Sequence, residues 1–196
     1  MNTPNKLTIL RILMIPIFVA LFYITAIPCN FIISAVIFII AAATDFLDGY
    51  IARKYKLVTN FGKFLDPIAD KVLVSTALIV MLVPPLGIQI LPWYASIMVS
   101  LILARELIIS GFRLVAAGQG QVIAADKSGK LKTFFTDISI VAILVFAQIT
   151  PLVFDITNII GVILLGISTL LTVVSGVECI VKNKAVLKDT KWKTFF

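Results

Sequence analysis

Residues 31–70 read FIISAVIFIIAAATDFLDGYIARKYKLVTNFGKFLDPIAD, an apolar run that breaks into four aspartates. They fall as Asp45-Phe-Leu-Asp48-Gly49-Tyr-Ile-Ala52-Arg53, then eight residues, then Gly62-Lys-Phe-Leu-Asp66-Pro-Ile-Ala-Asp70. A second apolar run follows, to about residue 84. Acids this close to lipid are costly unless they are paired or bind cations. On helices, i,i+3 and i,i+4 spacings put each pair on one face. Two such faces brought together make a carboxylate cage. Hard divalent cations take oxygen donors of this kind, and Mg2+ commonly holds substrate phosphates as well.

Working outward, the rest of the chain is also apolar. Of 196 residues, 60% are hydrophobic and 14% charged, and the mean hydropathy is +1.10. A soluble domain carries about 25% charged residues. The apolar residues come in long runs, so the expected fold is all-α, a polytopic membrane protein. The length leaves room for one membrane domain, 1–196, with no separate soluble catalytic unit. Histidine is absent, which removes histidine bases, nucleophiles and metal ligands. Two cysteines, Cys29 and Cys179, are too few for a structural zinc site and read as small apolar fillers on opposite sides of the bilayer.

Six transmembrane helices are expected, at about 7–26, 31–53, 66–84, 92–116, 131–150 and 156–181. Each is long enough to cross about 30 Å of hydrocarbon. Turn signals separate them at Pro28-Cys-Asn30, Pro84-Pro85-Leu-Gly87, Gly118-Gln-Gly120 and Thr150-Pro151. Lys6 and Arg11 before the first run resemble a signal peptide, but no small-residue cleavage site follows, so an uncleaved first span is expected. The loops at 27–30, 85–91 and 151–155 contain no lysine or arginine. Basic residues gather at Lys6 and Arg11, at Arg53 to Lys63, at Arg113 to Lys132 and from Lys182 onward. In a six-span chain these all fall on one side. The positive-inside rule then places the N- and C-termini in the cytoplasm, with the aspartates at the cytoplasmic edge of the membrane. The net charge of +7 belongs to that face and suits anionic membrane lipid; nothing beyond charge points to nucleic acid. The basic tail 182–196, with Trp192, Phe195 and Phe196, reads as an interfacial segment.

Two of the aspartates have a plainer use. Asp66 before Pro67 suits a helix N-cap, and Asp70 can pair with Lys71. Asp45 follows about fourteen largely apolar residues and has no such use. The joint spacing decides for a shared site. Four clustered carboxylates repel, and two divalent ions would relieve the conflict while clamping a phosphoryl group. Gly49 and Gly62 allow close approach of a ligand or helix, and Arg53 suits a phosphate or carboxylate.

The pattern D-x-x-D-G-x-x-A-R-x8-G-x3-D-x3-D resembles the signature of the CDP-alcohol phosphatidyltransferases, with Asp45, Asp48, Gly49, Ala52, Arg53, Gly62, Asp66 and Asp70 matching throughout. The resemblance implies a six-helix membrane enzyme, often a homodimer. In such an enzyme an alcohol attacks the lipid-bearing phosphorus of a CDP-lipid and CMP leaves. It implies Mg2+ or Mn2+, with two ions expected. Asp45, Asp48 and Asp66 would be metal ligands. Asp70 would be the general base and would also touch metal. Gly49, Ala52 and Arg53, with Gly62 and Thr8, would form the CDP-lipid side.

The signature leaves the acceptor alcohol open. Arg105 lies inside the fourth span, beside Glu106, and Arg113 follows two turns later. An arginine within a span is a functional candidate, although Arg105–Glu106 also reads as a structural pair. Lys130 and Lys132 open the fifth span, where they also suit a topology anchor. Together with Arg11, these cations make an anion pocket that a phosphate-bearing alcohol needs and a neutral polyol does not. Pro4–Thr8 with Arg11, Ala104–Glu106 with Ser110–Arg113, and Gly129–Thr133 further resemble the branch of that family that uses glycerol 3-phosphate. The expected reaction joins CDP-diacylglycerol to glycerol 3-phosphate. Phosphatidylglycerol, inositol phosphate and serine are the alternative acceptors. A divalent-cation transporter is the alternative class, because carboxylates in a membrane also mark ion paths.

Overall fold

A computed structural model describes residues 3–55, 60–85, 90–118, 123, 127–149 and 156–184. It contains six helices: α1 (Thr3–Tyr23), α2 (Asn30–Lys54), α3 (Asn60–Leu82), α4 (Ala95–Gly118), α5 (Lys127–Ile149) and α6 (Ile156–Lys182). No strand occurs among the described residues. Among the described residues five helices are long and apolar enough to cross a membrane: α1, α2, α4, α5 and α6. Large apolar side chains such as Leu107, Leu114, Leu170 and Val181 stand on the outer surface. Helices apolar on the outside as well as the inside suit lipid, not water.

α3 differs from the other five. It starts at Asn60, ahead of the expected residue 66, and Lys63, Asp66, Asp70 and Lys71 all fall in its first half. Only the part from Val72 onward reads as an apolar span. Asp66 therefore sits inside the helix, and the N-cap use of that residue is excluded. The tail from 185 onward lies outside the described residues.

Hydrogen bonds fix one end of the bundle. Asn30 donates from Nδ2 to the Phe22 carbonyl at 2.9 Å, closing the turn from α1 to α2. Within that turn Cys29 takes a left-handed φ of 60°, unusual for a residue with a Cβ. The Phe31 amide donates to Gln148 Oε1 at 3.1 Å, and Tyr23 Oη donates to the Val83 carbonyl at 2.9 Å. The end of α1, the start of α2 and the ends of α3 and α5 thus meet at the end that lacks basic residues. Behind them Phe18, Phe22, Phe31 and Phe38 pack as tilted ring pairs 5.3–6.4 Å apart. α5 and α6 approach closely along a polar seam. Thr136 and Ser168 share a hydrogen bond of 2.5 Å, and a Cβ at Gly161 would lie 2.5 Å from Ile143 Cγ1. Small residues and shared hydroxyls are how helices associate where no hydrophobic drive exists between them. Cys29 is exposed, Cys179 is buried, and both are free thiols.

Candidate active site

The charged ends of five helices converge at the opposite end. Arg11 on α1 is fully buried, an expensive position for a cation unless it is paired. Its Nη2 donates to Asp48 Oδ2 at 2.5 Å. Its Nη1 lies 2.7 Å from Asp45 Oδ1, a close charge contact without hydrogen-bond alignment. Nε faces the Ala41 carbonyl at 3.3 Å and Thr44 Oγ1 at 3.4 Å. The i,i+3 spacing of Asp45 and Asp48 does what the sequence implied and aims both carboxylates at one cation. The two differ in access, since the Asp48 side chain is 3% exposed and that of Asp45 is 44% exposed. Asp48 is sealed against Arg11, while Asp45 opens onto a cavity.

That cavity, about 440 Å3, is lined by the acids Asp45, Asp70 and Glu106, by the cations Lys71, Arg105, Arg113 and Lys132, and by Ser110. Of the four cations expected to hold the acceptor phosphate and described here, three line it: Arg105, Arg113 and Lys132. Their availability differs. Arg105 is anchored to α6, its Nε donating to the Thr172 carbonyl at 3.1 Å and its Nη2 to Ser175 Oγ at 2.9 Å. Its Nη1 meets Glu106 Oε1 at 3.1 Å. Gly176 leaves room for this anchor, because a Cβ there would lie 3.0 Å from Arg105 Cγ. Lys132 is ion-paired with Glu106. Arg113 keeps a buried Nε without a hydrogen-bond partner.

Arg11, the fourth, does not line the cavity. The structure separates it from the acceptor cations and commits its donors to the aspartates and to α2. Thr8 is buried on α1, one turn before Arg11, and Gly62 is buried on α3. Gly49 is half-buried on α2. Asp66, Ala52, Arg53 and Lys130 fall on helices, but their side chains lie outside the described residues.

Several lining residues escaped the sequence reading. Lys71 donates to Ser110, which in turn donates to the Glu106 carbonyl, so α3 and α4 are tied across the cavity. Lys71 follows Asp70 directly and reads as a local partner; its real partner is 39 residues away. Asp137 on α5, a lone acid in an apolar span, lines a smaller chamber next to the cavity.

Whether the donor set suits a divalent ion can be judged from the side chains present. Among the described residues no three acidic, histidine or cysteine side chains already surround one cation position. Asp45 and Asp48 nevertheless share one cation, the Arg11 guanidinium, and Asp70 lines the same cavity as Asp45. These are all hard oxygen donors, and they fit a hard divalent ion.

Comparison with known proteins shows the family. The CDP-alcohol phosphatidyltransferase family profile matches residues 1–174. A Bacillus subtilis (strain 168) protein named CDP-diacylglycerol--glycerol-3-phosphate 3-phosphatidyltransferase is 41% identical over 96% of this chain and 98% of its own length. A protein of the same name from Rickettsia bellii is 39% identical over 89% of this chain and 91% of its own. Another, from Yersinia pestis, is 38% identical over 74% of this chain and 77% of its own. With Asp45, Asp70, Arg105, Arg113 and Lys132 lining one cavity at the charged end of an apolar helical bundle, the chain belongs to the CDP-alcohol phosphatidyltransferases, a family that generally depends on a divalent metal.

Proposed function

We propose that this protein transfers the phosphatidyl group of CDP-diacylglycerol to sn-glycerol 3-phosphate, giving phosphatidylglycerophosphate and CMP. The observation that carries this reading is the single cavity shared by Asp45 and Asp70 with Arg113 and Lys132. A transferase for a phosphorylated alcohol needs both halves. One handles the pyrophosphate and the attacking hydroxyl, and the other holds a second phosphate. The names of the relatives support the same pair of substrates.

The roles follow from the family resemblance together with the residues that line the cavity. Asp70 takes the proton from the acceptor's C1 hydroxyl. The freed oxygen bonds to the phosphorus that carries diacylglycerol, and the bond from that phosphorus to CMP breaks. Arg113 and Lys132 hold the acceptor phosphate, Lys130 is a further cation expected to serve it, and Arg105 frames the pocket from its anchor on α6. Mg2+ or Mn2+, with two ions expected, would be held by Asp45, Asp48, Asp66 and Asp70 and would neutralise charge gathering on the pyrophosphate. Thr8, Gly49, Ala52, Arg53 and Gly62 form the CDP-lipid side. Arg11 keeps Asp45 and Asp48 aimed at a common point.

The whole chain acts as one membrane domain with six helices in the bilayer, both termini in the cytoplasm and the cavity open to it. The basic residues at that end, and their absence from the opposite turns, support this orientation. A homodimer is the expected assembly.

The acceptor half can be tested by itself. Arg113→Ala should raise KM for glycerol 3-phosphate about 10- to 100-fold, the range for losing a charge-assisted hydrogen bond. KM for CDP-diacylglycerol should change less than about threefold, the scale of a lost remote contact. Steady-state kinetics with each substrate varied in turn reads this out. An equal loss for both substrates would remove Arg113 from the acceptor pocket.

A further inference from the structure

Asp137 stands between two cavities. On one side is a chamber of about 40 Å3, lined by Asp70, Lys71, Glu106, Lys132, Thr133 and Thr136, with Leu78, Ile102 and Leu103 closing it. On the other is an apolar groove of about 640 Å3 between α2 and α5, walled by Phe38, Ala42, Phe134 and Val141. A carboxyl group set against such neighbours is costly unless something satisfies it. Yet Asp137 Oδ1 is buried and has no hydrogen-bond partner among the described residues.

The other polar groups of the chamber are largely committed. Glu106 pairs with Lys132 and Arg105, Lys71 donates to Ser110, and Thr136 donates to the Lys132 carbonyl at 2.8 Å. A buried oxygen without a partner beside a small chamber calls for a small donor. The chamber has room for a few water-sized groups, enough for a hydroxyl-bearing carbon and too little for a sugar-like ring.

The proposed acceptor supplies such a group. Glycerol 3-phosphate presents its phosphate to Lys132 and Arg113 and its C1 hydroxyl to Asp70. Lys132 and Asp70 line both the open cavity and the chamber. The carbon between those two ends carries the C2 hydroxyl, which needs an acceptor of its own once water is excluded. We propose that Asp137 is a specificity-determining residue of the acceptor site, its Oδ1 accepting a hydrogen bond from the C2 hydroxyl of glycerol 3-phosphate. The inference rests on the acceptor assignment made above.

A site built to bond a hydroxyl rejects the analogue that lacks it, because its own buried polar group is then left unsatisfied. The test compares sn-glycerol 3-phosphate with 3-hydroxypropyl phosphate, which keeps the attacking hydroxyl and the phosphate and lacks only the C2 hydroxyl. The readout is kcat/KM for CMP release from CDP-diacylglycerol in the presence of Mg2+. The wild-type enzyme should prefer the natural acceptor by about 100-fold or more. Asp137→Leu, which suits the apolar neighbours, should cut that preference at least about tenfold, on the scale of one hydrogen bond to a carboxylate. Asp137→Asn keeps a carbonyl oxygen and should fall between the two. It also serves if the leucine variant does not fold, with retention of CDP-diacylglycerol by the purified variants as the check on folding. Wild-type selectivity that survives in the folded variants would overturn the inference and leave the acceptor assignment standing. Absence of turnover with glycerol 3-phosphate in the wild type would overturn both.

Discussion

Asp70→Asn should lower kcat for CMP release on the order of 10^3-fold, the middle of the range for loss of a positioned general base. CDP-diacylglycerol should still bind. The expectation comes from where Asp70 stands. It lines both the larger cavity with Asp45, Arg113 and Lys132 and the smaller chamber with Asp137, which is where the proposed acceptor would meet it. Asparagine keeps the size and an acceptor oxygen but cannot take a proton at neutral pH. A role confined to metal binding predicts a different pattern, in which raised Mg2+ restores turnover because the affected step is ion affinity. Measuring kcat across a Mg2+ titration, alongside retention of labelled CDP-diacylglycerol, separates the two. Turnover near the wild-type level would remove Asp70 from the base role.

The second large effect is on stability. Arg11→Met should destabilise the metal-free protein by about 3–5 kcal/mol, the cost of stripping the partner from a buried charge. Asp48 bears that cost, because its side chain is almost fully enclosed and Arg11 supplies its counter-charge. Asp45 adds little, being open to solvent. Thermal unfolding in detergent should show Tm falling on the order of 10 °C. Adding Mg2+ should recover part of the loss, since an ion that binds the folded carboxylates stabilises by mass action. An unchanged Tm without metal would mean that the Arg11–Asp48 contact contributes no net stability.

Much of this arrangement was legible in the sequence because hydropathy and spacing are local signals. Five of the six spans lie within a few residues of where their apolar runs placed them. α3 began early because its first turns carry Lys63, Asp66, Asp70 and Lys71. Hydropathy has no voice in such a stretch, whereas a helix, once started, propagates through charged residues at little cost. The pairing of Asp45 with Asp48 follows from helical period alone.

Long-range partners were not legible. Arg11 reads as a charge at the start of a span, and nothing near it in sequence points to carboxylates 34 and 37 residues away. Its apolar flanks, Ile9-Leu10 and Ile12-Leu13, are the one hint in the sequence that it has to be paired. Arg105 and Glu106 read correctly as a pair, but the anchoring of Arg105 to Thr172 and Ser175 belongs to the docking of α6 on α4. Asp137 gave the same kind of hint as Arg11, a lone charge among apolar neighbours, and its meaning appears only when the chamber and the groove are seen on either side of it.

The central claim is that one cavity joins a CDP-lipid to a phosphorylated alcohol. The measurement that tests it most directly is CMP release by the purified protein with CDP-diacylglycerol and Mg2+, offering glycerol 3-phosphate, glycerol, inositol phosphate, serine and phosphatidylglycerol in turn. The account predicts release with glycerol 3-phosphate and little or none with the others. Release with serine or phosphatidylglycerol in preference would keep the chemistry and contradict the basic acceptor pocket. No release with any acceptor, from folded and metal-loaded protein, would contradict the account as a whole and bring ion transport forward.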